Sequence, residues 1–196
     1  MKYSTIGVRR LIAVAAAAIA GLVISSAAYA ATSSPAARAA AAIPPCAAAL
    51  GQHGNVSVWV AVDQGNGTAG TTYYPLEFTN TSKHACSLFG YPGVSAISRT
   101  GQQLGSPANW GSLSDARPVV LAPGATAHTI LAYHDVLAYT PRVCDPVNTT
   151  AELRIYPPGE RTATYAAFDF EACSHAGVDY MSIIEPIRAG VGTING

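Results

Sequence analysis

Across residues 56–62 apolar and polar positions alternate, with Val56, Val58, Val60 and Val62 set against Ser57, Trp59 and Ala61. A period of two sends successive side chains to opposite faces, so the segment predicts a half-buried strand. The same period returns where Tyr74, Leu76 and Phe78 alternate with Tyr73, Pro75 and Glu77. Pro75 has no N–H to give to a ladder, which predicts an edge strand or a bulge. Val94, Ala96 and Ser98 make a weaker strand, ended by Arg99-Thr100-Gly101. Residues 119–121 are turned by Ala122-Pro123-Gly124-Ala125 into residues 126–133. Leu153 and Ile155 alternate with Glu152, Arg154 and Tyr156 until Pro157-Pro158-Gly159; Ala166, Phe168 and Phe170 follow, then residues 178–187. About eight short strands with no helical period and no repeat predict an all-β fold, an antiparallel two-sheet β-sandwich.

One stretch breaks the rhythm. Residues 102–117 run for sixteen positions without strand periodicity, and Gly101, Gly105, Pro107 and Gly111 argue against a sheet. Loops this long in compact domains are usually functional or disordered. Its apolar members, Trp110 and Leu113, are therefore the candidate partner-binding residues.

The front of the chain has a different pattern. Lys2, Arg9 and Arg10 precede an uncharged apolar run over residues 11–24, followed by Ala28-Tyr29-Ala30. Small residues at −3 and −1 fit signal peptidase, so residues 1–30 read as a signal peptide cleaved between Ala30 and Ala31. Fourteen apolar residues fall short of the roughly 20 that cross a bilayer. Arg9-Arg10 leaves the twin-arginine route as a secondary option. Residues 31–45, rich in Ala, Ser and Pro, read as a flexible leader, and residues 46–196 as a single domain. The expected product is secreted, with no membrane span after signal removal.

Composition sharpens this. Charged residues make up 11% of the chain, less than half the usual share of about 25%. Removing residues 1–30 leaves eight basic against eleven acidic residues, a net charge of −3. That gives no electrostatic footprint for nucleic acid or an anionic membrane. Cys46, Cys86, Cys144 and Cys173 all lie in the exported part. An even count in a small secreted domain predicts two disulfides, with three connectivities open. Sequential pairing, Cys46–Cys86 and Cys144–Cys173, suits strands added in order. The smallest gap, 29 residues, does not resemble the paired spacing of a zinc site.

Phe78-Thr79-Asn80-Thr81, then Cys86-Ser87-Leu88-Phe89-Gly90-Tyr91-Pro92-Gly93-Val94, carry a family resemblance. So do Leu121-Ala122-Pro123-Gly124 with Ala127, and Cys144 with Tyr156-Pro157-Pro158-Gly159 and Cys173. From Cys46 to about Ile187 the chain resembles the exported actinobacterial domain of unknown function 4232. The resemblance implies an Ig-like β-sandwich, export and paired cysteines. It implies no catalytic residue and no ligand. By their own chemistry, Leu88 and Val94 are expected in the core, and Tyr91-Pro92-Gly93 in a turn that uses the glycine.

Candidate chemistry is sparse. Gly65-Asn66-Gly67-Thr68-Ala69-Gly70 matches a dinucleotide fingerprint formally, but strand-like residues follow where a helix must start. His53, His84, His128, His134 and His175 include no metal spacing, and His128 and His134 stand about 20 Å apart along one strand. Gly111-Ser112-Leu113-Ser114-Asp115 lacks the closing glycine of a nucleophile elbow. Asp135 beside His134 points to the opposite face, and Asp169 with Glu171 reads as a solvated pair. Asn55, Asn66, Asn80 and Asn148 head Asn-x-Ser/Thr triplets, expected as unmodified turn residues in a bacterial protein. Trp59, Tyr133 and Tyr139 are further amphipathic anchors, with core packing the simpler role for Trp59.

No catalytic residue, metal ligand or cofactor is assigned. The expectation is a secreted, non-enzymatic binding module at or near the bacterial cell envelope. Its expected partner is a cell-wall glycan or another secreted protein. The alternative is a secreted hydrolase whose site gathers distant His, Asp and Glu residues.

Overall fold

The computed structural model describes residues 42–48, 55–61, 66–111, 115–144, 146–147 and 150–194. The expected signal peptide and residues 31–41 of the leader, with His53, Leu113 and Asn148, lie outside the described residues. In chain order the strands are β1 (Val56–Val60), β2 (Asn66–Thr68), β3 (Thr71–Asn80), β4 (Cys86–Leu88) and β5 (Gly93–Ser98). Next come β6 (Gln103–Leu104), β7 (Asn109–Trp110), β8 (Val119–Leu121), β9 (Thr126–His134) and β10 (Pro146–Val147). The last five are β11 (Thr150–Tyr156), β12 (Thr164–Ala167), β13 (Ala172–Cys173), β14 (Met181–Ile183) and β15 (Arg188–Ala189).

The larger sheet runs β1-β3-β9-β14-β7, with β2 on β3 and β15 on β9. The smaller runs β12-β11-β5-β6, and the pairs β4-β8 and β10-β13 complete the set. The pairing is antiparallel except between β7 and β14, which run parallel. Alternation does what it predicts: Val56, Val58, Leu76 and Phe78 turn inward from the larger sheet. Val94, Ala96, Leu153 and Ile155 come from the smaller, and all eight share one buried core. Apolar faces from two sheets that close on each other make a sandwich.

Fifteen described strands replace the expected eight. The eight periodic segments correspond to β1, β3, β5, β8, β9, β11, β12 and β14. The extra ones are two or three residues long and carry too few positions to display a period. Residues 102–117 are the clearest correction, because Gln103–Leu104 joins the smaller sheet and Asn109–Trp110 the larger. The stretch therefore ties the two sheets together.

Pro75 corrects a second expectation. β3 is central, with β1 and β2 on one side and β9 on the other. Pro75 falls in the interval between the β1 and β2 ladders, where its carbonyl accepts from Ala61 N (3.0 Å) and the missing donor is not called upon. A third correction concerns Tyr91-Pro92-Gly93: the left-handed residue is Gly90 (φ 95°), whose carbonyl accepts from Ile187 N. Leu88 and Val94 are buried as expected.

Both sequential disulfides are present, Cys46–Cys86 and Cys144–Cys173, each with a Cα–Cα distance of 4.9 Å. The first staples the N-terminal segment to β4, where Cys46 N donates to Ser87 O and Ser87 N to Pro44 O, both at 2.9 Å. The second joins the turn after Tyr139 to β13, against which β10 pairs. Among the described residues no helix is long and apolar enough to cross a membrane.

Candidate functional site

Trp110 ends β7, the outermost strand of the larger sheet, and 58% of its surface is exposed. Its environment fixes it nonetheless. The indole stacks on Tyr91, with ring centroids 6.1 Å apart and planes 14° from parallel. Indole Nε1 donates to Pro92 O at 2.9 Å. Tyr91 itself is buried, so the support beneath the indole belongs to the core. Gly111 keeps this packing close, since a Cβ there would lie 3.0 Å from the Tyr91 hydroxyl. Phe89, two residues before Tyr91, and Ile184, next to the β14 residue that pairs with Trp110, are also exposed. The sequence singles out Trp110 but not its support, although Tyr91 and Pro92 stand in the strongest family string.

The other aromatic candidates divide differently. Trp59 is 44% exposed on the outer face of the larger sheet, not packed in the core as expected. It follows the alternation of β1, which turns Val58 inward and therefore Trp59 outward. Tyr133 and Tyr139 serve packing. The Tyr133 hydroxyl donates to Glu171 O (2.8 Å), its ring lies edge-on to Phe170 and Tyr180, and burial pushes its phenol up to about 12. The Tyr139 hydroxyl donates to Asp179 O (3.2 Å).

Polar candidates gather at one place only partly. β1, β3, β9 and β15 set Trp59, Glu77, His128 and Arg188 in one cross-strand row. Glu77, set by the alternation on the face opposite Leu76 and Phe78, is fully buried because the C-terminal residues cross over it. Its Oε1 accepts from Gly192 N at 2.8 Å, and Oε2 has no hydrogen-bond partner. Burial raises the Glu77 carboxyl above its ordinary range; the Gly192 amide and His128 pull it back in part. His128 Nε2 stands 3.6 Å from Glu185 Oε1, and Arg188 Nε 3.7 Å from Glu185 Oε2.

The remaining candidates do other work. His134 Nδ1 bonds the Thr71 hydroxyl (2.9 Å), while His84 and His175 are exposed. Among the described residues no three His, Cys, Asp or Glu side chains could hold a metal. Asp135 caps the 3-10 turn Val136–Ala138 by accepting from Leu137 N. Asn66 and Gly67 form β2 of a tight hairpin onto β3, and no helix follows. Asn80 is buried; its Nδ2 donates to His84 O (2.8 Å) and Leu121 O (2.9 Å), its Oδ1 accepting from Ser82. Its amide is wholly engaged in holding a turn. Ser112, Leu113 and Ser114 lie outside the described residues.

No curated protein matches the chain. The family described as Domain of unknown function (DUF4232) matches residues 52–182, from just before β1 to β14. That span covers well over half of the chain and includes Trp110, its Tyr91 support and three of the four cysteines. The protein belongs to the DUF4232 family.

Proposed function

We infer that the protein is a secreted, disulfide-stabilised binding module at or near the bacterial cell envelope, with no catalysis of its own. Trp110 is the centre of its contact surface. The observation that carries this reading is an exposed indole held in place by a buried ring and a backbone carbonyl. Contact residues fixed before binding lose little conformational entropy on association. With its N–H already bonded, Trp110 offers mainly an apolar ring, suited to a sugar-ring face of a cell-wall glycan. A second secreted protein could use the same ring, with Phe89 and Ile184 adding apolar area.

Export is supported by the signal-like residues 1–30 and by two disulfides, which persist in oxidising compartments. The Ig-like strand plan remains what family resemblance implies. A hydrolase would need two or more of His128, His134, His175 and the acids within hydrogen-bond reach in a cleft. Among the described residues, the nearest approach is His128 to Glu185, at 3.6 Å, and Glu77 is covered by Gly192. Those distances favour the non-catalytic reading.

The test is retention of the purified protein on bacterial cell-wall sacculi. Trp110→Ala is expected to weaken retention by about tenfold or more, as central aromatic contacts do. Its stability cost should be about 1–3 kcal/mol, for one ring contact and one hydrogen bond. Retention that survives protease treatment of the sacculi assigns the partner to glycan; retention lost on that treatment assigns it to protein. Unchanged retention of Trp110→Ala contradicts the proposal.

A further inference from the structure

We propose that residues 188–194 form a proton-controlled latch on the outer face of the larger sheet, closed while the Glu77 carboxyl is protonated and released as it ionises. The latch has three fastenings. β15 pairs with β9, and Gly190 N donates to Thr126 O at 2.9 Å. His128 Nδ1 lies 2.8 Å from Gly190 O; a carbonyl only accepts, so Nδ1 carries the hydrogen. Gly192 N donates to Glu77 Oε1 at 2.8 Å. The last two tie the strap to the sheet through one carboxyl and its cross-strand neighbour.

The contact is close. A Cβ on Gly192 would come within 2.8 Å of Pro75 Cβ and 2.9 Å of His128 Cδ2. Glu77 is thereby sealed off, with Oε2 buried and unpartnered. An ionised carboxylate there would have one hydrogen bond where it can accept several, out of contact with water. The groups around it offset this only in part: the Gly192 amide and His128 favour the carboxylate, but burial outweighs them. β1 presents Trp59, β9 presents His128, and the strap presents only the Gly192 amide. Arg188 is the nearest fixed cation in the row, and it is directed at Glu185, beyond His128. Lifting the strap lets water reach the carboxylate, so ionisation favours the open form.

Release has a structural consequence. Thr193 and Ile194 of the strap line a shallow hollow of about 260 Å³ together with Tyr73, Ile130 and Ile184. Loss of the strap removes its two residues from that lining and bares the sheet face around Ile130.

The test uses the oxidised full chain and the heteronuclear NOE of the Gly190 and Gly192 amides. In the wild type both should be rigid near pH 4.5 and lose order by about pH 7.5. That loss should follow the carboxyl-carbon resonance of Glu77. Glu77→Gln should keep the strap equally ordered at both pH values. Gly192→Ala, whose methyl has no room, should leave it loose at both. A wild-type strap equally rigid across the range, or a transition that departs from the Glu77 resonance, overturns the proposal. So does a Glu77→Gln strap that loosens as the wild type does.

Discussion

At the scale of single residues, position in a strand decides which face a side chain takes, and what later covers that face decides burial. Trp59 and Glu77 oppose each other on the outer face. The alternation sets both on the face opposite Val58 and Phe78; core packing was nonetheless the role expected of Trp59, and of the two only Trp59 stays in water. Glu77 is buried by residues more than a hundred positions away, and no local pattern could contain that. The sign of its pH effect follows. A carboxyl raised above its unfolded value of 4.5 adds stability below that value and withdraws it as pH rises through the folded pKa. Denaturant unfolding near pH 4 and pH 7 should therefore show Glu77→Gln gaining on the wild type as pH rises. A constant difference between them would contradict a raised carboxyl.

Tyr180 and Gly105 are a second pair legible only in three dimensions. The Tyr180 hydroxyl donates to Leu104 O at 2.8 Å inside the core, with burial holding the phenol well above its usual range. Its ring passes so close to Gly105 (φ 65°) that a Cβ there would lie 2.3 Å from Tyr180 Cε1. Gly105→Ala should cost about 2–4 kcal/mol by clash and strained backbone, against about 1–2 kcal/mol for Tyr180→Phe, which loses one bond. Thermal unfolding of the two variants checks the order.

At the scale of elements, the long alternating strands were legible and the short bridges were not. β3 and β9 carry enough positions to display a period, and they form the longest ladder in the structure. β6 and β7 offer two residues each inside a glycine-rich stretch, so the sequence displayed a loop where the structure has a tie between sheets. Trp110 was legible as an oddity, a large aromatic among small polar residues. Its Tyr91 stack was not, because eighteen positions separate Trp110 from the Pro92 carbonyl beside that ring. Asn80 acts at this scale as well, joining the end of β3 to the turn at His84 and to β8. Asn80→Ala leaves two carbonyls without their donor and should cost about 2–4 kcal/mol, read by denaturant unfolding. An effect below about 0.5 kcal/mol would mean water replaces the amide freely.

At the scale of the whole molecule, two covalent links close loops with sequence separations of 40 and 29 residues. Chain entropy assigns each about 3.5–4 kcal/mol, comparable with much of a net stability of roughly 5–15 kcal/mol. Their pairing was legible because strands added in order bring neighbouring cysteines together. If the protein is exported as proposed, its mature form should begin at Ala31 and weigh four hydrogens less than its reduced form by intact mass. Four free thiols would contradict both the fold and the expected compartment.

Contact between Trp110 and the partner has a direct optical readout. The chain holds only two tryptophans, so Trp59→Phe leaves Trp110 as the single indole emitter. Titrating that variant with solubilised cell-wall material should shift its emission to the blue and protect it from acrylamide quenching. An unchanged spectrum and unchanged quenching, in a protein that is demonstrably bound, would place the contact elsewhere on the sandwich.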